Sequence, residues 1–477
     1  MTTVLAIDQG TSSTKAIVVD GTGRSVAVAE EPLRPDYLGG GGVEQDPEAL
    51  LHSVLESGGR AVAAAGLPID VVALANQGET VIAWDPATGR PLTKAIVWQD
   101  RRAEEICAPL SAHRDLVAER TGLVLDPYFS APKLAWVRRH LTTAGVATTV
   151  DSWLIHRLTG EFVTDVSTAS RSLILNLDST RWDPELIELF GLGGERLPRL
   201  VACDEVVGTT TAFGGEIPVA GLIVDQQAAL LAEGCLEPGD AKCTFGTGAF
   251  LLANTGGTAV RSTAGLTTSV AWRARGETAY CLDGQIYTAA SAVRWLQELG
   301  LLDSAADLDR VAAEDAAGVL CVPALAGLAA PWWRPDATAT FTGMTLSTRR
   351  EHLVLALLQG IAAQVAEVCD LVEADLGRPV TRLRVDGGLT QSRTLLDAQA
   401  DLLQRPIHVY PSPHATPLGA AALARMAVEP NLTLREAVPR WTPDLIVEPR
   451  WPAERAKDHR DRWRAAALAS LTTKGTP

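Results

Sequence analysis

Residues 4–20 read VLAIDQGTSSTKAIVVD. Two aliphatic runs, Val4–Ile7 and Ala16–Val19, flank an aspartate, a glycine and a row of hydroxyls. The flanks predict neighbouring strands, with residues 9–13 turning the chain between them. An ordinary hairpin turn needs no such chemistry. Small residues in a tight turn let the backbone approach a ligand closely, and successive N–H groups there face an anion. Thr11, Ser12, Ser13 and Thr14 add hydroxyl donors and Lys15 adds a charge, so the turn suits phosphate. Asp8, at the strand end beside it, is a poor neighbour for bare phosphate but a good one for its magnesium ion, held directly or through water.

Working outward, SVAVAEEPL follows across Gly21-Thr22-Gly23 and completes a predicted antiparallel meander. Asp46-Pro47-Glu48 supplies a cap, a proline at the first helical position and an early acid, so a helix starts there. DVVALANQGETVIAWD reads as strand, polar turn, strand. Near residue 221 the opening pattern returns: GLIVDQQAALLAEGC is a strand ending on Asp225 and running into a helix, and AKCTFGTGAFLLANTG places Gly246, Thr247 and Gly248 between two strands. A helix is expected over 350–376, from the spacing of Leu353, Leu357, Ile361, Val365 and Val368. RLRVD, the Gly387-Gly388 turn, SRTLLDAQADLL, PIHVY and TPLGAAALARMA then alternate strand and helix, and the last segment reads as a charged helix packed on one side. The repetition predicts an internal duplication and an α/β fold of two domains, 1–228 and 229–477.

The chain has 477 residues, a formal charge of -15 and 47% hydrophobic residues. That size holds a substantial core, and the acidity argues against a nucleic-acid or anionic-membrane surface. Neither a signal-peptide pattern nor a bilayer-spanning stretch is expected, which places the protein in the cytoplasm. The seven cysteines lack any C-x-x-C pair and read as reduced, buried thiols. No G-x-x-x-x-G-K-[ST] loop, complete G-x-G-x-x-G fingerprint or histidine pair at ligand spacing is found. A homodimer or homotetramer acting on a small molecule is the expected assembly.

DQGTSSTKA, ANQGETVIAWDPATGRPLTKAIVWQDRR, GLVLDPYFSAPKLAW, VDQQAAL, TFGTGAF, VPALAGLAAPWW, VDGGLTQS and TPLGAA, in this order, resemble the FGGY carbohydrate kinases, and within them the glycerol kinases most. The resemblance implies a two-domain actin-like ATPase (ribonuclease H-like) fold and ATP-dependent phosphorylation of a hydroxyl of a small polyol or sugar. It implies that Asp225 is the general base and that Glu79, Trp98, Tyr128, Asp225 and Gln226 line the acceptor site. Gly10, Thr11, Ser12, Ser13, Lys15, Gly246, Thr247, Gly248, Gly388 and Ser392 would hold ATP, and Asp8 and Asp225 would serve its magnesium. Gln77 offers further donors and acceptors to hydroxyls, and Asp225 doubles as a helix N-cap candidate.

The chain departs from the glycerol kinase pattern at particular positions. Gly78 stands where that pattern has an arginine, and Tyr287 stands at an aromatic position where its hydroxyl would reach the acceptor. Ser392 replaces an asparagine, and His414 replaces a glutamate common in the family. The loss at Gly78 predicts an acceptor of more than three carbons, and a Gly78→Arg change that shifts preference toward glycerol. Rival readings are a pentulose or tetritol/pentitol kinase of the same family, and a non-catalytic nucleotide-binding sensor of the same fold.

Overall fold

The computed structural model describes residues 2–472. Strands β1 (Val4–Gln9), β2 (Ser13–Val19) and β3 (Ser25–Pro32) form the expected meander, with Asp8 opposite Lys15. Leu5, Ile7, Ile17 and Val18 are fully buried; each such side chain contributes about 1.5–3 kcal/mol over the exposed state. Helix α1 (Pro47–Ala65) begins as its sequence predicts: Asp46 accepts the Glu48 amide, Pro47 sits at the first position, and Gly66 closes the helix in the left-handed conformation.

Strand β4 (Val71–Asn76) lies parallel to β1. Strands β5 (Gly208–Thr210) and β6 (Ile217–Val224) complete a six-stranded sheet of order β5-β6-β4-β1-β2-β3, with β6 parallel to β4. The continuation of β4 leaves this sheet at residues 77–80, and Val81–Trp84 joins a separate five-stranded sheet. The chain therefore crosses from one sheet to another where the acceptor site is expected.

The pattern repeats in the second half. Strands β7 (Ala241–Phe245) and β8 (Ala249–Gly256) form a hairpin, β9 (Thr267–Ala274) and β10 (Glu277–Ile286) extend it, and β11 (Leu383–Asp386) and β12 (Ile407–Val409) run parallel to β7, with β13 (Leu445–Val447) on the edge. The order β9-β10-β8-β7-β11-β12-β13 mirrors the first sheet, apart from the extra outer strand β9.

Helix α2 (Asp225–Ala232) links the halves, and α3 (Arg350–Leu376) is the long helix expected at those positions. Contrary to expectation, α3 does contain a stretch apolar and long enough to cross a membrane, but most of that stretch is buried in the protein core. Helices α4 (Arg393–Leu403) and α5 (Ala415–Val428) follow β11 and β12. Helix α6 (Ala453–Thr472) packs on one side through Trp463, whose indole N–H donates to the Cys321 carbonyl at 2.8 Å. All seven cysteines are free and buried.

Although α5 lies in the second half of the chain, it packs on β1, β4 and β6 of the first sheet and on α2. Small residues permit this approach. A side chain at Gly419 would stand 1.9 Å from the Ala228 carbonyl oxygen, and one at Gly221, which has φ +68°, would stand 2.5 Å from that of Ala420.

Candidate active site

The register brings the site together. Gln9 pairs with Asn76 and Asn76 with Val224, so β1, β4 and β6 end in one row. The 10–12 turn, the 77–80 loop and Asp225 therefore emerge side by side beyond the carboxyl ends of parallel strands, the usual place for ligands in such sheets. In the second sheet Thr244 pairs with Asp386, which sets the Gly246–Gly248 turn beside Gly387 and Gly388.

Asp225 opens α2. The cap residue is Val224, so the expectation that Asp225 caps the helix is corrected by one position. Its Oδ1 accepts the Gln226 amide at 2.7 Å. Burial raises its pKa above the ordinary carboxylate range, against the pull of the Lys242 ammonium and the Arg171 guanidinium. A carboxylate so placed is a stronger proton acceptor than one in water.

Glu79 adopts φ +59°, a left-handed conformation that a residue with a side chain takes at a cost. Its buried carboxylate accepts from Arg171 Nε, and Arg171 Nη1 donates to Asp283 Oδ2 at 2.7 Å. Glu79 and Arg171 belong to the first half of the chain, whereas Asp283 lies on β10 in the second. The guanidinium also lies 5.8 Å from the ring centre of Tyr128 and 5.6 Å from that of Phe129. Burial raises the pKa of both Glu79 and Asp283, and the shared arginine opposes it.

Behind the pocket wall lies a polar network. Thr11 Oγ1 donates to Gln77 Oε1 at 2.9 Å and accepts from the Trp98 indole N–H at 2.9 Å. The Gln77 amide donates to Gln45 Oε1 at 2.9 Å, and the Gln45 amide donates to the Thr11 carbonyl at 2.7 Å. Gln77 is thus buried and engaged, holding Thr11 and Trp98 in place from behind. Tyr128 packs edge-on against Trp98 at 5.5 Å. Buried Lys133 fastens its loop, donating to the carbonyls of Pro127, Tyr128 and Phe129 at 2.8, 2.5 and 2.8 Å. On the far side, Lys242 donates to Gln226 Oε1 at 2.6 Å and to Thr244 Oγ1 at 2.7 Å, which fixes the Gln226 amide.

The second glycine turn is anchored by its carbonyls. Thr247 O accepts from the Ala289 and Ser291 amides at 2.9 and 3.1 Å, and Gly246 O accepts from Ala290 at 3.0 Å. A side chain at Gly248 would strike the Ile286 carbonyl oxygen at 2.3 Å, so glycine is required there by packing. Gly388 differs: its backbone is not left-handed, and a side chain there would meet nothing within 4 Å. A side chain at Gly246 would meet only the Gly248 carbonyl oxygen, at 3.8 Å. Space kept clear at Gly246 and Gly388 without a packing reason fits the approach of a nucleotide. Ser392 caps α4, accepting from the Leu395 amide and donating to Asp309 Oδ1 at 2.8 Å, so its hydroxyl is already engaged.

Asp8 is shifted to a pKa of about 7 by burial and by the nearby charge of Asp225. Two carboxylates that repel each other beside a phosphate turn fit a divalent cation, whose charge would favour the ionised form of both. Among the described residues no group of three or more His, Cys, Asp or Glu side chains forms a metal cage. Magnesium commonly takes one or two carboxylates, waters and substrate phosphates rather than such a cage.

Thr11, Ser12, Gly78, Glu79, Trp98, Tyr128, Asp225, Gln226, Gly246 and Thr247 converge on one pocket of about 190 Å³. Gln77 lies behind its wall, and Tyr287 lines a neighbouring cavity instead. Gly388 and Ser392 lie at the start of the next turn and helix, Gly10 and Ser13 close the first turn through a 3.0 Å bond, and Lys15 stands opposite Asp8. Sequence reasoning missed Phe250, which lines the pocket and meets Trp98 edge-on at 6.2 Å, although it directly follows the Gly-Thr-Gly-Ala motif. Lys242 carried one usable signal, a cation inside an otherwise apolar strand. Arg171 carried none.

Two mirrored actin-like domains, a carboxylate in a small polar and aromatic pocket, and open space beside Gly246 and Gly388 fit a phosphotransferase with an alcohol group as acceptor. The chain belongs to the FGGY family of carbohydrate kinases: the N-terminal domain of that family matches residues 3–232 and the C-terminal domain residues 241–428. It is 45% identical to the glycerol kinase of Alkalilimnicola ehrlichii over 90% of this chain and 91% of that one. Glycerol kinase 2 of Thermotoga maritima is 40% identical, with 98% of each chain covered. Among solved structures, Plasmodium falciparum glycerol kinase with ADP superimposes with a TM-score of 0.90 and 33% identity, covering 99% of both chains.

Proposed function

We propose that this protein transfers the γ-phosphoryl group of ATP to a hydroxyl of a small polyol or sugar in the pocket between Asp225 and Trp98. The observation that carries the reading is the meeting, in one pocket, of the Asp225 carboxylate, the Glu79 and Gln226 side chains and the Gly246-Thr247 turn. Asp225 accepts the proton of the acceptor hydroxyl as its oxygen forms a bond to the γ-phosphorus, and the bond from that phosphorus to the β,γ-bridging oxygen breaks to release ADP. Glu79, fixed by Arg171, and Gln226, fixed by Lys242, orient the acceptor, while Trp98, Tyr128 and Phe250 wall off water. Asp8, with Asp225, would hold magnesium, which supplies charge neutralisation on the phosphates. The domain division at 1–228 and 229–477 and a cytoplasmic location belong to the same reading. Glycerol is the acceptor named for the curated relatives.

The test is a coupled ADP-release assay over glycerol, tetritols, pentitols, pentuloses and hexoses. Release is expected to need an acceptor, ATP and a divalent cation, and to stop with EDTA. Acceptor-independent release, or full activity in EDTA, would overturn the reading.

A further inference from the structure

A second, larger space adjoins the acceptor pocket. A cavity of about 730 Å³ shares Trp98, Gln99 and Tyr128 with the 190 Å³ pocket. The smaller volume lies below the roughly 300 Å³ at which small-molecule sites usually begin, whereas the larger is well within their range. Trp98 and Tyr128 come from the first half of the chain; Tyr287, Trp295 and Phe341 close the cavity from the second. Rings of this kind offer flat apolar faces with polar edges, suited to the C–H face of a sugar or polyol chain. Gln99 and Arg101, the latter held at 2.7 Å by Asp126, supply polar groups at the rim.

We propose that this cavity is the subsite for the distal part of an acceptor longer than glycerol, a polyol or sugar of four or more carbons. The inference rests on the kinase reading above and adds the substrate class. Asp225 lines the small pocket and not the cavity, so the reacting hydroxyl stays beside Asp225 while the remote end reaches the aromatic rings. Contacts to both halves of the chain reward closure of the cleft, so the remote end contributes to turnover as well as to binding.

The test fills the cavity without touching the small pocket. Ala326→Trp and Ala339→Trp each place an indole there from outside the proposed catalytic machinery. In the wild type, the best acceptor of four or more carbons is expected to exceed glycerol in kcat/KM by at least ten-fold. In each variant that advantage is expected to fall ten-fold or more, with kcat/KM for glycerol within about two-fold of wild type. Thermal melts confirm folding, and the wild-type ranking of acceptors stands independently of either variant. A wild type that prefers glycerol, or an acceptor ranking unchanged in both folded variants, overturns the subsite. A wild type that releases ADP with no acceptor at all instead overturns the kinase reading itself.

Discussion

Arg171 occupies the space beside Gly78: a side chain started at Gly78 would stand 4.0 Å from Arg171 Cδ and Nε, and 3.0 Å from Val224 Cγ2. The cation of this corner therefore comes from residue 171. It reaches Glu79 from behind and binds Asp283 across the cleft at 2.7 Å.

This relationship changes what Gly78→Arg should do. The new guanidinium would compete with Arg171 for the same carboxylate, crowd Val224 and place like charges together. Lower kcat/KM on every acceptor is expected, rather than the shift toward glycerol that the sequence alone suggests. Steady-state kinetics with glycerol and the best longer acceptor decide it; a gain for glycerol at undiminished turnover would restore the simpler view.

Arg171→Gln should raise the acceptor KM by about ten- to hundred-fold, because Glu79 loses the cation that fixes it and so the geometry of its own charge-assisted hydrogen bond to the acceptor, about 1.5–3 kcal/mol. The KM for ATP should stay within about two-fold of wild type. Removing the shared cation also leaves two buried carboxylates uncompensated, so the melting temperature should fall. Asp283→Asn, which keeps the arginine and Glu79 together, should show a milder version of both effects. Equal losses for ATP and acceptor would mean that Arg171 supports the fold alone.

Asp225→Asn should lower kcat by roughly 10² to 10⁴ with little change in ATP affinity. Because burial raises the Asp225 pKa, the base becomes protonated at a higher pH than an ordinary carboxylate. The acid limb of kcat/KM, measured at a fixed magnesium concentration, should vanish from the residual activity of the variant. A limb unchanged by the substitution would assign the titration elsewhere.

His459 is buried against Trp451, with Nε2 lacking a hydrogen-bond partner, and burial together with Arg462 and Arg455 lowers its pKa to about 4. An unfolded histidine takes up its proton near pH 6.5, before the folded one does. Stability present above that pH should therefore drain away as pH falls toward 4, by on the order of 3 kcal/mol. Thermal melts across this window should show a flatter fall for His459→Gln; an identical slope would remove the histidine from the account.

Much of the architecture was legible because it is local. The cap at Asp46-Pro47, the bounds of α3 and the glycine turns follow from residues adjacent in the chain. The orientation of the site was less so. Arg171 meets a carboxylate 92 residues away, and the Thr11 hydroxyl is claimed by an indole 87 residues away, so neither partner can be found by spacing. Gln77 is polar in a polar loop, and only the packing of Gln45 and Thr80 around it turns it inward. Tyr287 follows β10, but the register of β8 and β10 sends it to the larger cavity.

The seating of α5 on the first sheet has a practical consequence. Residues 415–428 cover strands made by residues 4–9, 71–76 and 217–224, so a fragment ending near residue 228 would leave Ala6, Ala73 and Ile223 without their lid. An isolated first half would therefore present these apolar strands to solvent. A two-piece version of this protein would have to be cut within the chain so that α5 remains free to return to the first sheet, and its reassembly would report directly on the contact between Gly419 and Ala228.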